Sequence, residues 1–349
     1  MIKVFNSLDF INKEKWDVRD MSTFLSLDFL ECFYSHHNNF KHIFIISSHS
    51  RLYGQIFQLR IDKTANYFKY RLILLIMNIF RINVLYFSNS FFTNTPSFYF
   101  NKPQNIENII SKINQSYFMI VIPDIMMESI SNESKDGYER IEVEEDMVLS
   151  VRKEWNILED YTNDLKTKYR GKIKQILHRS KILKIRKLNE KEVIKYKYNI
   201  QKLFDQVVEN AKFRGPSFNT DIMTSLVKKK FLLLYGYFID NKLIAFSSEI
   251  YHKDTLYSYY VGFEKNKNKR YSLYGRILVE TIEHAILYKK KRIVFGRTAN
   301  EFKSNFGATP IKSYIHVKFR NTFVHQLLKL FIKRMKMPSW KQRDPFKNK

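Results

Sequence analysis

The chain has 349 residues, 44% hydrophobic and 16% aromatic, which is enough apolar material for two domains and excludes a disordered tail protein. Counts of 9 Gly and 7 Pro exclude collagen-like repeats, and one cysteine, Cys32, excludes an intrachain disulfide and a thiolate zinc site. Lys+Arg 60 against Asp+Glu 34 leaves a net charge of +26, a balance that favours anionic partners.

The N-terminus lacks an apolar h-region, so no signal peptide is expected, and the chain is assigned to the cytoplasm. The first 120 or so residues are apolar, with strand-like runs at His42–Ser47, Ile82–Phe87 and Tyr117–Pro123. The apolar stretch Leu72–Phe87 is interrupted by Asn78, Arg81 and Asn83. It falls short of the ~20 residues a spanning helix needs and reads as a buried helix followed by a strand. Cys32, His36, His37 and His42 have no carboxylate at ligand spacing, so no metal is expected. From Asp124 to Asp146, 9 acidic residues stand against 2 basic ones, which reads as an exposed connection. The expected domains are 1–146, 147–335 and a basic tail 336–349.

A long helix is expected from about Glu159, with Leu165, Tyr169, Ile173 and Ile176 on one face. Lys166, Arg170, Lys174 and His178 form a second stripe, either solvated or an anion-binding flank. Between Tyr161 and Phe204, 14 Lys/Arg face 3 Asp/Glu, and from Ile311 to Lys349 the ratio is 11 to 1. A second helix spans about Glu190–Phe213. Phe231–Ile239 and Leu243–Tyr251 flank an Asp240-Asn241-Lys242 turn, a hairpin signal. Thr255–Phe263 continues as a strand. A basic loop (EKNKNKR), a helix over Ser272–Tyr288, a strand at Arg292–Gly296, a helix near Ala299–Asn305 and a strand at Ile311–Arg320 follow. A basic amphipathic helix and the tail end the chain. This order describes an α/β chain with a mixed sheet and a central parallel pair joined by a right-handed crossover. Ligands favour such pairs, where helix N-termini meet strand ends.

Three segments now carry a resemblance: Glu301-Phe302-Lys303-Ser304-Asn305-Phe306-Gly307, Trp155 followed by Leu165-Lys166-Thr167-Lys168-Tyr169-Arg170, and Phe295-Gly296-Arg297-Thr298-Ala299. In this order they resemble the "FKxxFG", "W…L…KyR" and "fGRtA" segments of GNAT-superfamily acyltransferases, in particular the Fem-type peptidoglycan aminoacyltransferases. The resemblance covers residues 150–320. It implies two tandem GNAT-like domains, the first degenerate and the second catalytic. It also implies transfer of an acyl or aminoacyl group from a thioester or tRNA ester to an amine of a cell-envelope precursor or lipid. No tightly bound cofactor is implied. The donors it admits are acyl-CoA, acyl carrier protein and aminoacyl-tRNA, and the basic surface suits a lipid-linked precursor and peripheral contact at the inner membrane face.

The resemblance nominates site residues. Lys303 would contact the transferring carbonyl or the phosphate-rich end of the donor, or else snorkel at a helix end. Glu249 is a candidate base or sits on an exposed strand face. Glu301 pairs with Arg297 at i, i+4 or serves as a base. Tyr169, Arg170, Tyr259, Arg270, Tyr274, Gly275, Arg297 and Thr298 would bind donor or substrate. The aromatic runs Tyr235–Phe238 and Tyr257–Tyr260 line a slot or fill the core. A CoA-using member would carry [QR]-x-x-G-x-[GA] at the crossover helix start, whereas this chain reads Arg270-Tyr271-Ser272-Leu273-Tyr274-Gly275, with Leu273 in place of the first glycine. Two other functions stay open at this level: a non-catalytic basic module binding RNA or anionic membrane, and an acetyl-CoA-dependent N-acetyltransferase of small molecules.

Overall fold

The computed structural model describes residues 1–59, 82–209, 216–332, 337 and 339–347. The residue 72–81 part of the apolar stretch, the end of the helix expected to reach Phe213, and parts of the tail lie outside the described residues. The strands are β1 (Lys3–Phe5), β2 (Lys41–Ile46), β3 (Ser50–Gln58), β4 (Asn83–Tyr86), β5 (Phe98–Phe100), β6 (Met119–Pro123), β7 (Glu139–Ser150), β8 (Lys184–Leu188), β9 (Leu233–Ile239), β10 (Lys242–His252), β11 (Thr255–Phe263), β12 (Arg292–Gly296) and β13 (Thr309–Phe319). The helices are α1 (Lys13–Trp16), α2 (Leu27–His36), α3 (Ile106–Ile110), α4 (Asp124–Met127), α5 (Leu158–Asp164), α6 (Thr167–Arg179), α7 (Glu190–Lys195), α8 (Lys197–Val208), α9 (Ile222–Lys228), α10 (Lys265–Tyr271), α11 (Leu273–Leu287), α12 (Asn300–Ser304) and α13 (Thr322–Ile332).

The chain divides into two compact units. The first holds residues 1–143, 212–219 and 313–337; the second holds 144–211, 220–312 and 338–349. In the first unit, β1, β2, β3 and β4 are antiparallel neighbours, β4 pairs β6 in parallel, and the end of β13 closes antiparallel on β6. In the second, β8, β9, β10 and β11 are antiparallel neighbours, β11 pairs β12 in parallel, and the end of β7 closes antiparallel on β12. The strands of the two units therefore follow one plan: four antiparallel neighbours, a parallel pair and an antiparallel closing strand.

The β9–β10 hairpin forms as its turn residues predict. Asp240 and Asn241 both take positive φ, 46° and 63°, the backbone of a two-residue primed turn. A first-unit core of Ile43, Leu52, Leu85, Ile106, Ile120 and Met126 packs on its sheet. In the second unit α11 buries Leu278, Val279 and Ile282 against Leu256, Ile293 and Phe306. This continuous apolar face, not helix propensity, holds the crossover in place.

Four expectations need correction. The helix near Glu159 is two helices, because Leu165 turns extended (φ −79°, ψ 143°) and forms a β-bridge with Phe346. The helix from Glu190 breaks at Tyr196 into α7 and α8. The basic "loop" after β11 is the helix α10; Glu264 before it pairs with Lys242 (3.1 Å) and Lys267 (2.8 Å), offsetting repulsion among its lysines. The acidic stretch ends in a regular strand, β7, rather than an exposed loop. Its charges have partners there: the Trp340 indole donates to Glu145 at 2.9 Å. Among the described residues no helix is long and apolar enough to cross a membrane.

Candidate active site

The parallel pair of the second unit comes apart. The β11–β12 register runs Thr255↔Arg292, Leu256↔Ile293 and Tyr257↔Val294 and then ends, although β11 continues to Phe263 against β10. Beyond Tyr257 the register with β12 ends, while β11 stays paired with β10. Tyr259 lies on this segment, its ring against Tyr260 at 4.4 Å.

β12 ends in a left-handed run: Gly296 (φ 71°), Thr298 (67°) and Ala299 (51°). Only the glycine adopts this freely; the other two store strain that the surroundings must hold. Lys303 supplies the hold. It is 3% exposed, and its Nζ donates to the carbonyls of Gly296 (3.0 Å) and Arg297 (2.8 Å). Lys303 therefore does not snorkel: its ammonium is turned inward onto backbone. Burial pulls its pKa down to about 7, against the opposing fields of Asp146 and Glu144.

The expected Arg297–Glu301 ion pair does not form. The left-handed residues between them break helical register, so i and i+4 no longer share a face. Arg297 Nε instead lies 3.9 Å from Asp146, and Glu301 pairs with Arg343. Thr298 is exposed at the turn.

At the start of α11, Leu273 is fully buried in the core. The Tyr274 amide, one of the helix's unbonded N–H groups, donates to the Asn268 side chain at 2.9 Å. A Cβ on Gly275 would lie 2.9 Å from Ile176 Cδ1, so this glycine serves close helix packing. Tyr274 stacks obliquely on Phe302 (5.4 Å) and Phe263 (5.8 Å). Tyr169 packs on the same core cluster, which joins the α6, α11 and α12 segments. Arg170 is half-buried on α6. Arg270 is exposed and lies over the Tyr271 ring.

Glu249 is on no exposed face: it is fully buried. Both carboxylate oxygens meet His284 Nδ1, at 2.9 and 3.1 Å, and the Tyr251 hydroxyl donates to Oε2 at 2.7 Å. Burial opposes charge on His284, yet the Glu249 carboxylate holds its pKa above the ordinary value. Sequence reasoning missed His284 and Tyr251. The available signal was a histidine on the otherwise apolar face of the crossover helix.

The profile of the acetyltransferase (GNAT) domain matches residues 200–304. No curated protein matches the chain by sequence. Among solved structures, FemX is similar at a TM-score of 0.55 and 9% identity, covering 88% of this chain and 94% of that one. L-PGS from Bacillus licheniformis is similar at 0.54 and 10%, covering 90% and 100%. The C-terminal domain of a candidate lysylphosphatidylglycerol synthetase from Agrobacterium fabrum is similar at 0.50 and 12%, covering 82% and 86%. Residues 200–304 thus match an acetyltransferase (GNAT) domain, and the chain shares its fold with FemX and L-PGS.

Proposed function

We propose that the protein moves an acyl or aminoacyl group from a thioester or tRNA ester to an amine of a cell-envelope precursor or lipid. The observation that carries this reading is the parting of β11 and β12 beyond Tyr257 and Val294. It sets β11 beyond Tyr257 apart from a pinned strand end, and in this reading an activated carbonyl lodges between them, its developing oxyanion taking N–H bonds. Lys303 is a positioning residue in this reading: it fixes the Gly296–Ala299 turn that borders the gap. Glu249 is shut off from solvent and occupied by His284 and Tyr251, which favours an acceptor deprotonated through water over attack assisted by this carboxylate. Glu301, exposed and paired with Arg343, holds Arg343 at the end of α12.

The start of α11 supports one choice of donor. CoA-type binding uses unbonded amides at a helix N-terminus. Here Asn268 takes the Tyr274 amide and Leu273 fills the core, which supports a donor carried by tRNA or carrier protein. The basic surfaces suit either, and the FemX and synthetase likenesses are in keeping with a cell-envelope or lipid acceptor. The test is a donor screen on the full chain with acetyl-CoA, acyl carrier protein thioesters and charged tRNA, read by mass spectrometry of the acceptor. Transfer from tRNA or carrier protein, with no thermal shift from CoA, is expected. Transfer from acetyl-CoA alone would replace the donor assignment, and no transfer from any donor would remove the enzymatic reading.

A further inference from the structure

The first unit repeats the parallel pair of the second. β4 pairs β6 through Val84↔Met119, Leu85↔Ile120 and Tyr86↔Val121, and β6 ends at Pro123 in α4. Ligand sites in sheets of this kind lie at the carboxyl ends of parallel strands. A cavity of about 430 Å³ opens there, lined by Asp124, Met127, Glu128, Lys135, Tyr138, Arg140 and His316, within the range of small-ligand sites.

Its charges fall into two groups. Asp124 is committed: His316 Nε2 lies 2.7 Å from Oδ1 and Arg140 lies 3.4 Å from Oδ2. Arg140 is further held over the Tyr314 ring at 3.6 Å. The Tyr138 hydroxyl donates to Glu107 at 3.0 Å. These contacts build a rigid wall. Glu128 and Lys135 are the other group: among the described residues neither side chain has an ion-pair or hydrogen-bond partner. Glu128 follows α4, and Lys135 caps the short turn Asn132–Ser134. One unpaired carboxylate and one unpaired ammonium thus border the same cavity.

We propose that this cavity binds a small zwitterion, with the ligand's ammonium toward Glu128 and its anionic group toward Lys135. A ligand of one sign would satisfy one of these charges and be repelled by the other, so the pair selects for both. The anionic group can be a carboxylate, as in a free amino acid, or a phosphate, as in an aminoalkyl phosphate headgroup. The first unit then has its own ligand and is not merely a degenerate copy. The assignment does not depend on the transfer reaction proposed for the second unit.

Isothermal titration calorimetry on the full chain tests it, with L-alanine and O-phosphoethanolamine as probes and acetate and ethylammonium as single-charge controls. Saturable binding of at least one zwitterion is expected, weakened tenfold or more by Lys135→Gln and by Glu128→Gln, with the controls silent. The stronger probe tells carboxylate from phosphate. Melting curves for both variants confirm that they stay folded, as substitution of unpaired side chains predicts. No heat from either zwitterion, heat unchanged in both variants, or equal binding of a single-charge control overturns the proposal.

Discussion

Glu249 on β10 grips His284 on α11, 35 residues away in sequence, through both carboxylate oxygens, 2.9 and 3.1 Å from Nδ1. Removing one partner of such a buried pair strands the other. Glu249→Gln is expected to destabilise the protein by about 3 kcal/mol in urea unfolding at pH 6. The pH dependence has a definite sign. His284 has a raised pKa in the folded chain, so its contribution is complete below the unfolded value near 6.5 and fades as pH rises through the folded value. The gap between wild type and Glu249→Gln should therefore be wider at pH 6 than at pH 9. A gap that widens with pH would rule out the charged pair.

His37 and His42 act in the opposite direction. Burial pushes each down to about 4. The Asn219 amide donates to His37 Nε2 at 3.3 Å, which needs that nitrogen unprotonated. His42 Nδ1 meets the Tyr53 hydroxyl at 2.6 Å. The unfolded chain takes up these protons first, so stability falls as pH drops from 6.5 to 4, by about 3 kcal/mol per histidine. Urea unfolding at pH 7, 5.5 and 4.5 should show this loss in wild type and a shallower one in His42→Gln. Parallel curves for the two proteins would contradict it.

Lys303→Met should lower transfer at least tenfold, because the carbonyls of Gly296 and Arg297 lose the donor that holds the left-handed turn. Lys303→Arg should not restore it, since a planar guanidinium does not fit a site 3% exposed. Relative to Lys303→Met, wild type should gain stability as pH climbs from 7 to 10. The folded pKa of about 7 lies below the unfolded value, so the unfolded chain binds the extra proton across that window. Full turnover in Lys303→Met would take Lys303 out of the site.

Two glycines separate packing from ligand binding. In Gly262→Ala the new Cβ would lie 2.7 Å from backbone atoms of Leu203 and Phe204, which cannot yield without moving α8, and a loss of about 3 kcal/mol is expected. In Gly275→Ala the new Cβ meets one flexible side chain, Ile176, at 2.9 Å from Cδ1 and 3.2 Å from Cγ1. The substitution should cost about 1 kcal/mol and be relieved by Ile176→Val, which lacks that Cδ1 atom. Thermal unfolding of the single and double variants measures both. Failure of Ile176→Val to relieve Gly275→Ala would point to a different role for this glycine.

Local chemistry was legible in the residues themselves. Asp240-Asn241 set a turn, alternation and periodicity marked β9, β10, β11, α11 and β12, and three short segments in order pointed to the GNAT plan, all of which depend on neighbours within a few positions. Tertiary structure decided what partners lying far apart in the chain determine: Glu301 choosing Arg343 across 42 residues, Glu249 buried against His284, and the acidic stretch forming β7. Lys303 belongs with these, because its direction depends on the left-handed backbone before α12 and not on its place in the motif. A charge's solvation and partner are set by whatever the folded chain brings beside it, and spacing along the sequence carries no record of that.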